Sequence, residues 1–143
     1  MKKEETIDYH IKTCWHSISR IYNQQAQKEG ITASMGFVLI NIHSTEGTAA
    51  TKIAPMMGLE SRSLTRILKS MEERKLILKQ PDELDRRSVR IFLTDLGKQK
   101  KVVAVKTIKE FNEKVRNALT EKEMTNFFSL FDKLHRVIDL IQK

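Results

Sequence analysis

Asp82-Glu83-Leu84-Asp85-Arg86-Arg87-Ser88-Val89-Arg90-Ile91-Phe92-Leu93-Thr94 places two adjacent arginines at a turn, between two short strand-like runs. The runs Lys75–Lys79 and Ser88–Leu93 are read as half-buried strands of period two, with Pro81 and Asp82 as the break between them. Arg86 and Arg87 at the tip of such a hairpin make a narrow cationic projection, a shape suited to phosphates or to the electronegative minor groove of DNA. The same arginines can instead solubilise an exposed turn and pair with Asp82, Glu83 or Asp85, since surface charges are common.

The segment before the hairpin bears on that choice. From Ser61 to Arg74 the spacing predicts a helix with Leu64, Ile67, Leu68 and Met71 on one side and Arg62, Thr65, Arg66 and Lys69 on the other. One face is core and the other is basic, although a basic face can also be plain solvated surface. A basic helix followed by a basic hairpin is the layout of a winged helix-turn-helix. Further upstream, Thr51–Met57 is short and contains Pro55, which is expected close to a helix start, where few backbone donors are needed; Gly58 supplies the turn. Thr32 or Ser34 can cap a helix through Phe37, Val38, Leu39, Ile40 and Ile42 that is largely buried and ends at Gly47 and Thr48.

Both chain ends read as long amphipathic helices. Ile7, Ile11, Cys14, Trp15, Ile18, Ile21 and Tyr22 recur at three- and four-residue steps ahead of Gly30. Thr94 can cap a helix to about Asn117, with Val102, Val105, Ile108, Phe111, Val115 and Leu119 continuing an apolar stripe, and Gly97 in its first turn points to close packing. Thr120 and Glu123 match a capping box. It opens a last helix striped by Met124, Phe127, Phe128, Phe131, Leu134, Ile138 and Ile141. A small DNA-binding core does not offer enough surface to cover three such stripes, so a homodimer interface built from both ends is expected; folding back as a monomer is the alternative.

The 143 residues suffice for one domain with a real core, and no repeat or low-complexity linker divides them. The net charge of +8 favours polyanionic partners. A single cysteine, and no stretch like a signal peptide or a membrane span, lead to the expectation of a cytoplasmic protein without membrane association.

Gly58-Leu59, Ser63-Leu64-Thr65-Arg66, Met71-Glu72, Leu76-Ile77, Asp85-Arg86-Arg87 and Leu93-Thr94 with Gly97 resemble, in order and spacing, the multiple-antibiotic-resistance regulator (MarR) family of bacterial transcription factors. The resemblance implies a mainly α fold, a winged helix-turn-helix lobe with a small β-hairpin wing flanked by N- and C-terminal dimerisation helices. Residues 1–143 would form one domain, about 31–97 the DNA-binding lobe and about 1–30 and 98–143 the dimerisation helices. It also implies a homodimer on double-stranded DNA, with Ser61, Arg62, Ser63, Thr65, Arg66 and Lys69 facing bases and phosphates in the major groove. Arg86 would enter the minor groove while Arg87 pairs with Asp85 to hold the hairpin. Two departures stand out: Lys75 replaces the glycine usual at the end of the recognition helix, and Pro55 is unusual in the helix before it.

Members of the family commonly release DNA when a small aromatic ligand enters a cleft beside the dimerisation helices, which on this chain maps to Trp15, His16, Tyr22, Met35 and Phe37; plain core packing is the competing reading. Repression is the family's usual mode. A redox-sensing branch carries a reactive cysteine near the place of Cys14, and an inert thiol is the alternative. His10 and Cys14 supply only part of a zinc set, so neither a metal nor another cofactor is expected. No phosphate loop, nucleophile elbow or His-carboxylate set is visible, so an enzyme is not expected. The rivals are a helical protein-interaction module and a non-specific architectural DNA binder.

Overall fold

The computed structural model describes all 143 residues. After a single 3-10 turn at Lys3–Glu5, the order is α1 (Ile7–Lys28), α2 (Ala33–Ile40), β1 (Thr48–Ala49), α3 (Ala50–Met57), α4 (Ser61–Glu73), β2 (Ile77–Pro81), β3 (Val89–Leu93), α5 (Asp95–Ala118) and α6 (Glu121–Gln142). The chain forms two compact units, Met1–Thr107 and Ile108–Lys143.

In the first unit, α2, α3, α4 and the sheet close on one apolar core. Val38, Leu39, Ile42, Ile53, Met71, Leu76, Ile77 and Ile91 are almost wholly withdrawn from solvent, and Leu64 and Leu68 bring the apolar side of α4 onto them. The sheet is antiparallel in the order β1-β3-β2. Ile77 faces Leu93 and Pro81 faces Val89, while Thr48 and Ala49 pair with Ile91 and Arg90. Along β3 the burial alternates, with Ile91 and Leu93 inward, as a half-buried strand requires.

Helix ends follow local chemistry. Thr32 caps α2 by accepting the Met35 N–H at 3.1 Å. The chain leaves α1, α3 and α4 through the same paired bonds to the last turn: Ile31 N to Ala26 O, Leu59 N to Ala54 O and Leu76 N to Met71 O. This motif needs a left-handed residue. Gly30 and Gly58 supply it for the first two, and Lys75, at φ 60°, for the third. Thr94 clamps the start of α5, donating to the Lys75 carbonyl at 2.6 Å and accepting the Gly97 N–H at 3.0 Å. Gly97 packs against the chain there: a Cβ would run into the Leu76 carbonyl oxygen.

Three expectations are corrected. Helix α2 stops at Asn41, not at Gly47 and Thr48. The Asn41 side chain donates to the Phe37 carbonyl at 2.9 Å, and His43 Nδ1 accepts the N–H groups of Thr45 and Glu46, which builds a turn where more helix was expected. Pro55 lies in the last turn of α3 rather than near its start. It is tolerated because the helix ends two residues later and the residue that loses its bonding partner, Thr51, is exposed. Pro81 belongs to β2 instead of breaking the run. β2 is an edge strand, and the next N–H, that of Asp82, is the one turned toward β3, bonding Ser88 O at 3.0 Å, so the proline's missing donor points outward. The two-residue strand β1 carried no sequence signal.

The second unit holds the end of α5 and all of α6. Thr120 and Glu123 form the expected capping box, with bonds of 2.9 and 3.1 Å. The Arg116 guanidinium lies over the Phe128 ring, 5.7 Å from its centroid, and Phe127 and Phe131 are in ring contact at 4.8 Å. No α6 side chain is fully buried.

Candidate nucleic-acid interface

Helix α4 separates its residues sharply by face. Leu64, Leu68 and Met71 anchor it in the core, which turns Ser61, Arg62, Thr65, Arg66 and Lys69 to solvent. Arg62, Arg66 and Lys69 lie four and three residues apart on adjoining turns. None meets a carboxylate within ion-pair distance, whereas Lys79 on β2 is engaged by Glu72 at 3.7 Å. Thr65 Oγ1 donates to the Ser61 carbonyl at 2.8 Å, which leaves its hydroxyl as an acceptor. Ser63 departs from the set: it is half-buried at the flank of the helix.

The hairpin between β2 and β3 extends the cationic surface. Arg86 and Arg87 are both exposed at its tip, as is Leu84 at 95%. Asp85 shapes the turn differently from the expectation. Its Oδ1 accepts the backbone N–H of Arg87 at 3.0 Å rather than the guanidinium, because a short Asp side chain closes readily on the backbone two residues on. Both arginine heads therefore stay free. The carboxylate that does meet an arginine is Asp82, buried to 8% exposure, with Oδ1 at 4.0 Å from Arg90 Nη1. Sequence reasoning missed Arg90 as a site residue. Its carbonyl partners, Glu46 and Gly47, lie 44 and 43 residues away, so no local pattern announces them. It also passed over Lys52, exposed on α3.

The residues assigned to a ligand cleft divide. Phe37, half-buried, meets Tyr22 edge-on at 5.7 Å and Trp15 at 6.2 Å, so three aromatic rings cluster between α1 and α2. Burial pushes the Tyr22 phenol upward. Met35 is part of the core, and His16, like Trp15 beside it, is exposed. Cys14 is an exposed free thiol.

Two helices, α3 and α4, joined by a left-handed glycine turn and followed by a β-hairpin, define a winged helix-turn-helix DNA-binding protein. Residues 31–89 match the model of the MarR family. The transcriptional regulator SarZ of Staphylococcus aureus is 30% identical over 105 residues, 71% of each chain. Among solved structures, S. aureus MepR in complex with DNA superposes with a TM-score of 0.85 at 22% identity, over 92% of this chain and 98% of that one. PcaV of Streptomyces coelicolor, in complex with its natural ligand, gives 0.80 at 18% identity over 95% and 96%. At these identities the two structures speak for the fold. The chain belongs to the MarR family of DNA-binding transcriptional regulators.

Proposed function

We propose that the protein is a sequence-specific repressor that binds a pseudo-palindromic operator as a homodimer. In this reading α4 lies in the major groove, where Arg66 reads a base and Arg62 and Lys69 meet phosphates, while Arg86 and Arg87 reach toward the minor groove. The observation that carries it is the cationic outer face of α4, free of ion pairs and followed directly by a wing whose two tip arginines are also free. Dimerisation is supported by exposed apolar side chains on the end helices: Ile7 and Trp15 on α1, Phe127, Leu130 and Ile141 on α6. Release by a small molecule is supported by likeness to PcaV, solved with its natural ligand, and the Trp15, Tyr22 and Phe37 cluster favours an aromatic one. Exposure of Cys14 favours oxidation of that thiol as a second input.

Selection of bound duplexes from random DNA at about 150 mM salt tests the reading. Enrichment of a pseudo-palindrome with half-sites about 34–36 Å apart is expected. A bound pool without a motif would instead describe an architectural binder, and no bound pool a protein-interaction module.

A further inference from the structure

Arg90 is an arginine turned inward. Its neighbours in the wing, Arg86 and Arg87, are exposed, whereas its own side chain is 27% exposed and each nitrogen faces a partner. Nε donates to the Glu46 carbonyl at 2.8 Å and Nη2 to the Gly47 carbonyl at 3.3 Å. Nη1 faces Asp82 Oδ1 at 4.0 Å.

Each end of this bridge is anchored. The turn that supplies the two carbonyls is held from within by His43 Nδ1, which accepts the Glu46 N–H at 3.0 Å. From α5, Lys101 Nζ donates to the Ile42 carbonyl at 2.6 Å and to Ser44 Oγ at 3.0 Å. At the other end, Asp82 is a buried carboxylate, which is tolerated only when compensated by charge and hydrogen bonds. Its Oδ1 accepts the Leu84 N–H at 3.3 Å and its Oδ2 the Ser88 hydroxyl at 3.4 Å. Those two residues bracket the tip that carries Arg86 and Arg87.

We infer that Arg90 is a positioning residue: it ties the wing, through Asp82, to the hydrogen-bonded turn ahead of β1 and so aims the tip arginines at DNA. The inference rests on the wing of the proposed regulator touching DNA. A planar guanidinium suits the task because its donors diverge in a fixed fork, two to neighbouring carbonyls and one toward the carboxylate. Without it, Asp82 keeps a buried charge that has lost its cation, and the tip loses the group around which it is folded. Arg86 and Arg87 would then have to be ordered at the moment of binding, which weakens the complex.

Two measurements on the full chain test this. Amide exchange on R90Q should be faster at Leu84, Arg87 and Ser88 and unchanged at Leu39 and Leu68 in the core. The second is a cycle of DNA affinity, with R90Q placed in the wild-type and in the R86A/R87A background, using the duplex enriched from the random pool. R90Q should weaken binding about tenfold in the first and less than about twofold in the second, because a residue that acts through the tip has nothing to aim once the tip is truncated. Equal losses in both backgrounds, exchange accelerated throughout the core, or unaltered exchange at the tip would each overturn the inference while leaving the regulator reading intact. Failure of R86A/R87A itself to weaken binding removes the wing contact and the inference with it, and a wild-type protein that binds no duplex removes the regulator reading as well.

Discussion

Replacing Lys75 by glycine should stabilise the protein, although it deletes a charged side chain next to the proposed recognition helix. Lys75 closes α4 at φ 60°, with its N–H bonded to Glu72 O at 3.0 Å and the following Leu76 N–H to Met71 O at 2.9 Å. An L-residue in this region is strained by roughly 1–2 kcal/mol. Glycine is free of that strain but loses more backbone entropy on folding, roughly 0.5–1 kcal/mol. The exposed lysine head forms no ion pair whose loss would enter the balance. The net gain should be about 0.5–1 kcal/mol, or about 2–3 °C in Tm. Urea denaturation at fixed protein concentration measures it, fixed because an oligomer's stability depends on concentration. Lys75→Ala is the control, since alanine removes the same side chain and keeps the strain. If the glycine variant were no more stable than the alanine one, the strain argument would be refuted.

Arg66→Ala should relax base preference at one position of each half-site by about 1–3 kcal/mol, read by repeating the selection, whereas Lys69→Ala should weaken all sequences alike and lower the salt slope by about one. Gly97→Ala should destabilise by about 3 kcal/mol in the same urea assay, because the new methyl meets the Leu76 backbone carbonyl, which cannot move aside as a side-chain tip can. Thr120→Ala should shorten α6 at its start, seen as lower helicity by circular dichroism. The Thr120 backbone and hydroxyl hold the Glu123 carboxyl below its ordinary value. A lowered carboxylate contributes above its unfolded pKa and loses that contribution as pH falls through the folded one, so the stability gap between wild type and Glu123→Gln should narrow toward acid pH and stay constant above the glutamate range.

Much of the architecture was legible because its causes are local. The alternation of Leu64, Leu68 and Met71 with Arg62, Thr65, Arg66 and Lys69 is complete within one helix, so its two faces could be read directly, and both faces are where the spacing put them. Thr94 with Gly97 and Thr120 with Glu123 are likewise contacts three residues apart. Sequence reading failed where side chains redirected the backbone. Asn41 and His43 convert the end of an apolar run into a turn, and Pro81 stays in a strand because that strand is an edge.

By itself, then, the sequence determined a basic helix beside an arginine-tipped hairpin between two apolar-striped ends, since periodicity and capping act over a few residues. Only the tertiary structure decided which arginines are free. Arg90 resembles Arg86 and Arg87 in the one-dimensional pattern, yet its guanidinium is claimed by carbonyls more than forty residues away and by a carboxylate that becomes buried when β2 and β3 pair. Whether a charge serves the surface or the interior depends on what the fold brings to it, because burial and hydrogen-bond partners are properties of the packed chain rather than of the residue.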